Sequence, residues 1–213
     1  MNFSLKIKTI LLSFFIRNLK GDNYHNLNKF LQIYKIWNNV KLDSISGDYI
    51  EFGIFKGKSL YHSIKVAESI NLYNSIKFWG LDSFKGFPVE NHGFYKSTNF
   101  LSSAEEVKKS FTKYKNVEII EGFFEESVEL NRLKSIEKIS FAFIDCDIYE
   151  SADTAFNFIK DKISAGGFIM IDDFTSLDTN GNYIGKSFFN IFKDRQIMFF
   201  DTYSNGQTFR IMD

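Results

Sequence analysis

Apolar residues along the chain follow two repeating patterns, one typical of helices and one typical of buried strands. Residues 28–40 place apolar side chains at the three- and four-residue spacing of an amphipathic helix. Five short apolar runs follow, each succeeded by a helical pattern. The runs are residues 48–53, 76–81, 117–121, 139–145 and 168–171, and the helical patterns are residues 58–72, 103–114, 125–135, 151–163 and 184–194. This alternation predicts a doubly wound, Rossmann-like α/β sheet with mostly parallel strands.

Turn and capping residues indicate where some of these elements begin. Ser103, followed by Glu106 three residues later, is a capping-box pattern that opens a helix. Residues 83–101 show no periodicity and contain the only proline of the chain, so we expect a long loop there. Gly166-Gly167 predicts a turn that leads into the last of the five strands.

The C-terminal residues carry a hairpin pattern. Two apolar runs, residues 197–202 and 208–212, flank Asn205-Gly206, and Asn-Gly is the strongest short-range hairpin signal. We therefore expect one antiparallel strand at the edge of an otherwise parallel sheet.

The first twenty residues have an apolar centre between basic residues. Lys6 and Lys8 precede the apolar residues 10–16, and Arg17 ends that stretch. It is too short to span a membrane, for which about 20 apolar residues are needed, and no small-residue cleavage site follows it. An amphipathic helix fits best, as a cap over a site, a contact between subunits or a membrane-surface helix, with a degenerate signal peptide as the remaining alternative. We expect residues 1–45 to form a helical cap or oligomer contact and residues 46–213 to form one domain.

Composition narrows the class of protein. The 213 residues include 26 basic and 26 acidic side chains, and a zero net charge argues against non-specific nucleic-acid binding. Hydrophobic residues at 44% and charged residues at 24% are typical of a soluble globular chain. Cys146 is the only cysteine, so it forms no internal disulfide, and a cytoplasmic location is expected.

Acidic residues stand at the carboxyl end of every predicted parallel strand. Ligands of open α/β sheets bind beyond these ends, and carboxylates are rarely buried there without a partner. Solvated strand ends are the alternative explanation for any single residue. The residues are Glu51, Asp82, Glu121, Asp145, Asp147, Asp172 and Asp173.

The first two strand ends suit a ligand that carries an amine and a ribose. Gly53 follows Glu51 in a turn that lets a ligand approach the backbone before a helix begins. The spacing of Gly53 and Gly57 matches neither a dinucleotide-binding fingerprint nor a nucleotide triphosphate loop. Glu51 would attract an ammonium group, and Asp82 stands where a ribose diol would lie. Together they indicate S-adenosylmethionine.

The last two strand ends suit a cation. Two unit charges about 4 Å apart repel by roughly 4 kcal/mol at an effective dielectric near 20, so converging carboxylates need a cation or protons. Oxygen ligands favour Mg²⁺ over Zn²⁺. We therefore predict a metal site formed by Asp145, Asp172 and Asp173, and the alternative is a set of helix caps and solvated acids.

Five blocks of sequence, in the same order over residues 48–174, resemble the macrocin-type sugar O-methyltransferases. Apart from the N-terminal helices and the last forty residues, they cover the centre of the chain. The blocks are Tyr49-Ile-Glu-Phe-Gly-Ile-Phe-Lys-Gly-Lys-Ser59, Phe78-Trp-Gly-Leu-Asp-Ser-Phe-Lys-Gly-Phe-Pro88, Gly122-Phe-Phe-Glu-Glu-Ser127, Asp145-Cys-Asp-Ile-Tyr-Glu-Ser151 and Gly166-Gly-Phe-Ile-Met-Ile-Asp-Asp-Phe174.

This resemblance implies a class I methyltransferase fold, S-adenosylmethionine as the donor, a divalent metal that is usually Mg²⁺, and a sugar hydroxyl as the acceptor. It implies metal ligation by Asp145, Asp172 and Asp173, with Asp145 and Asp147 as catalytic residues and Asp147 as the general base. Separately from the resemblance, a contact between subunits through residues 1–45 would make the protein a homo-oligomer. The donor contacts implied are Glu51, Gly53, Ser59, Asp82, Ser83, Gly122, Phe123 and Asp145.

Other functions compete for the same residues. Asp145-Cys146-Asp147 is a DxD pattern that a sugar-nucleotide glycosyltransferase would use to hold Mg²⁺ and a diphosphate, but it would leave Glu51 and Asp82 unexplained. A phosphatase would need its nucleophilic aspartate after the first strand, and a non-catalytic donor-binding protein is the third alternative. His25, His62 and His92 are not expected to be ligands, although His92 lies in a loop that an acceptor could contact. Cys146 is expected to pack as a small residue.

Overall fold

A computed structural model describes residues 3–18, 20–88 and 100–213. The helices are α1 (Phe3–Arg17), α2 (Gly21–Leu42), α3 (Lys58–Ser69), α4 (Ala104–Phe111), α5 (Phe124–Ser127), α6 (Asn131–Lys134), α7 (Tyr149–Ile159) and α8 (Ile184–Ile191). The strands are β1 (Asp48–Phe52), β2 (Phe78–Asp82), β3 (Val117–Glu121), β4 (Ile139–Ile144), β5 (Ile163–Ile171), β6 (Ile197–Tyr203) and β7 (Gly206–Ile211).

The strands form one seven-stranded sheet in the order β3-β2-β1-β4-β5-β7-β6. The first five strands pair in parallel, and β7 is antiparallel to both β5 and β6. The predicted doubly wound sheet with one antiparallel strand in a C-terminal hairpin is therefore confirmed. The chain order reverses between β1 and β4, which is the crevice where ligands of such sheets bind.

Apolar layers cover both faces of the sheet. On one face, Trp37 of α2 packs with Tyr49 and Phe141, and Leu60 and Ile64 of α3 belong to the same buried cluster. On the other face, residues of α7 and α8 pack against alternate strand residues. The central strands β1 and β4 are buried from both sides, which explains why their sequences are apolar runs rather than alternating patterns.

Some predicted element boundaries are confirmed, and others differ from those observed in the structure. Ser103 caps α4, because its hydroxyl accepts a hydrogen bond from the backbone N–H of Glu106 at 3.2 Å. The helix predicted at residues 28–40 begins earlier, at Gly21. The helix predicted at residues 125–135 is two short helices, α5 and α6.

The prediction of a turn at Gly166-Gly167 is wrong. Both glycines lie inside β5, whose pairing with β4 shifts from Ile139–Ile163 to Phe141–Phe168 across an irregularity in the ladder. Gly166 has φ +79°, and a Cβ at Gly167 would lie 2.8 Å from a backbone oxygen. The glycines therefore let the strand bend and continue, instead of ending it.

The first helix differs from the rest of the fold because it is not packed. Every residue from Ile7 to Asn18 is exposed, whereas α2 buries Ile33, Ile36 and Trp37 completely. Within the described residues, no helix is both long enough and apolar enough to cross a membrane. The predicted cap or oligomer contact stays a prediction, since α1 covers no described part of the body.

Candidate active site

Backbone pairing brings the acidic strand ends together. The N–H of Asp145 donates to the carbonyl of Phe52 at 2.9 Å, and the N–H of Asp172 donates to the carbonyl of Ile144 at 2.8 Å. The ends of β1, β4 and β5 are thus level with one another. Side chains that follow these strands must share one edge of the sheet.

Gly53 forms a turn that no other residue would fit. Its φ is +92°, and a Cβ built on it would lie 1.8 Å from the backbone oxygen of Asp145. The turn after β1 therefore touches the end of β4, and only a glycine permits that approach.

A cleft opens along the strand ends, with about 510 Å³ of space that includes open solvent at its mouth. It contains the predicted donor contacts Gly53, Asp82, Ser83, Phe123 and Asp145 and the predicted base Asp147. Its full lining is Gly53, Phe55, Asp82, Ser83, Gly86, Phe87, Pro88, Phe100, Phe123, Phe124, Asp145, Cys146, Asp147 and Ser151. Gly122 precedes this lining with φ +147°, which directs the chain into Phe123.

The carboxylate of Asp82 fixes the two turns beside the cleft. One oxygen accepts the N–H of Phe55 at 2.7 Å, and the other accepts the N–H of Phe84 at 2.7 Å. Burial raises the pKa of Asp82, and these two amides counteract the rise. Ser83 donates from its hydroxyl to the carbonyl of Gly86 at 2.8 Å, so it shapes the loop after β2.

Glu51 is turned into the protein interior. Its side chain is fully buried and accepts hydrogen bonds from the hydroxyls of Tyr49, at 2.6 Å, and Ser59. Burial raises the pKa of Glu51 to about 7, although both hydroxyls favour the charged form. Neither Glu51 oxygen reaches the cleft, so its predicted contact with a donor ammonium stays a prediction. Glu51 instead anchors Ser59 at the beginning of α3.

A lysine from α2 lies between the acids of β4 and β5. The Nζ of Lys29 is 2.8 Å from Oδ2 of Asp145 and 2.6 Å from Oδ2 of Asp172. Burial would lower the pKa of Lys29, but attraction to these two carboxylates outweighs it and raises that pKa. The side chain of Lys29 is 10% exposed, so this ion pair is largely shielded from water.

The two bridged acids do not titrate alike. Burial opposes ionisation of Asp172, but Lys29 and His25 hold the pKa of this carboxyl below its usual range, and the Nε2 of His25 lies 3.1 Å from Oδ2. Burial and the charge of Asp172 raise the pKa of Asp145. Of the two carboxyl groups, Asp172 is therefore the one held more firmly in its charged form.

Asp147 and Asp173 complete the group of acids. Both have left-handed backbone conformations, with φ +62° and +46°, which are uncommon for residues other than glycine. Burial and the neighbouring charges of Asp145 and Asp173 raise the pKa of Asp147. Asp147 also lines the cleft. The sequence-predicted acids are thus brought into one cluster, which we call the acid cluster: Asp145, Asp147, Asp172 and Asp173.

The turn of the C-terminal hairpin also reaches the acid cluster. The side-chain amide of Asn205 donates to Oδ1 of Asp173, and Ser204 hydrogen-bonds the Nδ1 of His25 at 3.0 Å. The N–H of Phe174 donates to the carbonyl of Asn205 at 3.3 Å. This turn therefore braces β5 and α2 at the same point.

Lys29 and His25 received no role in the sequence analysis. They are spaced four residues apart, which places them on one side of α2, and that spacing is the only signal the sequence offers. His62 is not near the acids, and its Nε2 hydrogen-bonds the carbonyl of Phe30. His92 lies outside the described residues. Cys146 is buried, as expected.

The described residues contain no group of three or more histidine, cysteine or acidic side chains already arranged around a metal position. The predicted metal site on Asp145, Asp172 and Asp173 therefore stays a prediction. Lys29 accounts for part of this arrangement, since it binds one oxygen of each of the first two acids.

Comparison with known proteins gives consistent matches. A family profile described as macrocin-O-methyltransferase (TylF) matches residues 26–197. Over 148 residues, the chain is 26% identical to a demethyldecarbamoylnovobiocin O-methyltransferase of Streptomyces niveus, covering 62% of this chain and 54% of the relative. Over 154 residues, it is 27% identical to an 8-demethyl-8-(2,3-dimethoxy-alpha-L-rhamnosyl)-tetracenomycin-C 4'-O-methyltransferase of Streptomyces olivaceus, covering 63% and 56%.

The chain thus spans about half the length of the curated relatives it matches. Among solved structures, that of the O-methyltransferase NovP superposes with a TM-score of 0.71 at 18% identity, covering 87% of this chain and 80% of that one. The superposition shows a shared methyltransferase fold.

Proposed function

Because the chain belongs to the macrocin-O-methyltransferase (TylF) family, we propose that it transfers the methyl group of S-adenosylmethionine to a hydroxyl of a sugar. The observation that carries this proposal is the course of the cleft. It runs from Gly53 past Asp82 to Phe123, and it also opens onto Asp145 and Asp147. A donor lying along the first three residues would present its methyl group beside the last two.

The donor half of the cleft supplies backbone approach, polar contacts and an aromatic surface. Gly53 lines the cleft in a turn that packs directly on the backbone of Asp145, and its bare backbone is available to the methionine part of the donor. Asp82 keeps lone pairs available for a ribose diol beyond the two amides it already accepts. Phe123 offers an apolar surface for the adenine. Glu51 contributes indirectly: it accepts a hydrogen bond from Ser59 and so fixes the beginning of α3 beside the turn that follows β1.

The reaction itself asks the protein to align two molecules and to accept a proton. The acceptor oxygen forms a bond to the methyl carbon while the bond from that carbon to the donor sulfur breaks, and the sulfur keeps the electron pair. The hydroxyl proton goes to the carboxylate of Asp147. Alignment of the two substrates can contribute about 7–11 kcal/mol, and a general base a further hundredfold or more.

The acid cluster also fits the divalent metal that the family resemblance implies. Lys29 binds Oδ2 of Asp172, but Oδ1 of that residue is buried and has no hydrogen-bond partner in the described part of the chain. An oxygen-only ligand set suits Mg²⁺. Asp145, Asp172 and Asp173 would hold the ion. When bound, it would stabilise negative charge that develops on the acceptor oxygen.

A sugar is the proposed acceptor class because of the substrates for which two relatives are named. One curated relative is named for methylation of a rhamnosyl group of a tetracenomycin, and another for methylation of a novobiocin precursor. The cleft beside Asp147 is lined by the rings of Phe87 and Phe100, whose centroids lie 5.7 Å apart. Aromatic rings of this kind suit the apolar faces of a sugar ring.

Thermal-shift and turnover measurements test the proposal together. S-adenosylhomocysteine is expected to raise the melting temperature with or without EDTA, whereas methyl transfer to a sugar acceptor is expected to stop in EDTA. Stabilisation by a UDP- or GDP-linked sugar instead would assign the rival glycosyltransferase. Full turnover in excess EDTA would remove the metal from the proposal, and donor binding without transfer to any sugar would leave a binding protein.

One variant separates chemistry from donor binding. Asp147→Asn is expected to lower kcat by roughly a hundredfold or more while the affinity for S-adenosylhomocysteine stays unchanged. Asp161→Asn, an exposed acid at the opposite edge of the sheet, is the matched control and should leave kcat unchanged. Equal kcat values for Asp147→Asn and the wild type would overturn the assignment of the base.

A further inference from the structure

Helix α1 presents large apolar side chains to solvent from Ile7 to Ile16. Seven of them are between 42% and 63% exposed. They are Ile7, Ile10, Leu11, Leu12, Phe14, Phe15 and Ile16. A contiguous apolar surface of this kind on a soluble protein marks an interaction site, since isolated exposed apolar residues are common but such groups are not.

One face of α1 is wholly apolar in its described side chains. Ile7, Ile10, Leu11 and Phe14 follow the spacing of a single helix face. Thr9 and Ser13 lie on the other side, which they share with Leu12 and Ile16. Apolar side chains therefore extend beyond one face, and the face that contains Ile7, Ile10, Leu11 and Phe14 is the one suited to an apolar phase.

The charge at this end of the chain is entirely positive. Four basic residues occur among the first 21, and the first acidic residue is Asp22. They are Lys6, Lys8, Arg17 and Lys20. Since the whole chain has zero net charge, the remainder has four more acidic than basic residues. The apolar surface and the excess of positive charge thus coincide on one segment.

This combination identifies the occupant by its chemistry. Pairing of α1 with the α1 of a second copy would bring two basic helices together, which like-charge repulsion disfavours. A membrane-spanning role does not fit, because α1 is about 22 Å long and a bilayer core is about 30 Å thick. An anionic lipid surface offers both an apolar layer and negative charge.

We propose that α1 lies in the interface of an anionic lipid bilayer and docks the protein there. The apolar face enters the boundary between head groups and acyl chains, and the basic side chains contact the anionic head groups. This inference does not depend on the proposed enzymatic activity, since it concerns a helix that contributes nothing to the cleft.

Vesicle co-sedimentation of the full chain tests the docking. Wild-type protein is expected to sediment with vesicles of phosphatidylglycerol and phosphatidylcholine, to bind pure phosphatidylcholine much more weakly, and to be released by high salt. The double variant Leu11→Glu/Phe14→Glu, and separately Lys8→Glu/Arg17→Glu, should each weaken binding to the anionic vesicles by roughly tenfold or more.

Matched controls come from α2, which carries exposed residues of the same types. Leu31→Glu and Lys41→Glu should leave vesicle binding unchanged. Stabilisation by S-adenosylhomocysteine should be the same for every variant that is folded, because all six substituted positions lie outside the cleft. Absence of vesicle binding by the wild type would overturn the proposal. So would a wild-type dimer, measured by light scattering, that the α1 variants convert to monomers without any change in lipid binding.

Discussion

Lys29 places a buried positive charge between two carboxylates that belong to different strands. It reaches them from α2, so one residue ties the N-terminal helices to the ends of β4 and β5. Without it, Asp145 and Asp172 would face each other with little water to separate their charges. A buried ion pair of this kind holds geometry, and its loss leaves an uncompensated charge behind.

Lys29→Met is expected to lower the free energy of unfolding by about 3 kcal/mol in EDTA at neutral pH, because two buried carboxylates lose their cation. Mn²⁺ or Mg²⁺ should then raise the melting temperature of the variant more than that of the wild type, since a competing positive charge is gone. Differential scanning fluorimetry measures both effects.

Lys35→Met is the control for this substitution. Lys35 also lies on α2 and pairs with a carboxylate, that of Asp201, but half of its side chain is exposed. Loss of the ion pair between Lys35 and Asp201 should lower the free energy of unfolding much less than Lys29→Met does, and it should leave the response to metal unchanged. Equal metal responses of the wild type and Lys29→Met would show that the lysine does not compete with a dication.

The buried carboxyl of Glu51 makes stability depend on pH. Its pKa is about 7 in the folded protein against an ordinary value of 4.5. Between these values only the unfolded chain releases the proton, so the wild type loses stability as the pH rises through this window. As the pH rises from about 5 to about 8, the free energy of unfolding of Glu51→Gln should increase by about 3 kcal/mol relative to that of the wild type, as measured by urea unfolding.

Glu105→Gln, at an exposed position, is the control and should show no such change relative to the wild type. If the stability of Glu51→Gln and that of the wild type changed equally with pH, the prediction would be contradicted.

Residue types at strand ends were predictable, but their orientations were not. The sequence placed Asp82, Asp145 and Asp147 beside the cleft, because each lies at or shortly after the end of a recognisable strand. It could not show that the Glu51 carboxylate turns inward, since that depends on hydroxyls of Tyr49 and Ser59 on the same buried side. It also could not find Lys29, because the contact spans 116 residues of sequence.

At the scale of elements, the turn between β1 and α3 has no room for a side chain at Gly53. Gly53→Ala is expected to lower the free energy of unfolding by at least about 3 kcal/mol and to abolish binding of S-adenosylhomocysteine, because its Cβ would collide with the backbone at Asp145.

Gly181→Ala is the control for this substitution. Gly181 has φ +74°, but a Cβ there meets no atom within 4 Å. It should therefore lose only about 1–2 kcal/mol. Isothermal calorimetry and chemical unfolding separate the two variants, and equal losses would contradict the role of close packing.

Element existence followed from periodicity more reliably than element ends did. The five parallel strands, the Ser103 cap and the Asn205-Gly206 hairpin were all evident in the sequence, since each depends on local chemistry. The glycine pair in β5 was misinterpreted, because a glycine that bends a strand and a glycine that ends it look the same in sequence. Only the pairing of β5 with β4 distinguishes the two cases.

Across the whole molecule, charge is divided between a basic first segment and a net acidic remainder. An anionic bilayer would attract the first and repel the second. The body would then be held away from the lipid while α1 is bound.

The class of fold was predictable from the alternation of elements. The exposure of α1 was not predictable, because an apolar helix pattern is the same whether the helix packs on its own chain or on something else.

The acid cluster draws its partners from two segments that lie far apart in sequence: His25 and Lys29 on α2, and Ser204 and Asn205 in the turn between β6 and β7. During synthesis on the ribosome, this network can therefore form only after the turn at residue 204 has been made. A truncated chain that stops before residue 204 would keep the five parallel strands, yet it would lose the hydrogen bond from Asn205 to Asp173.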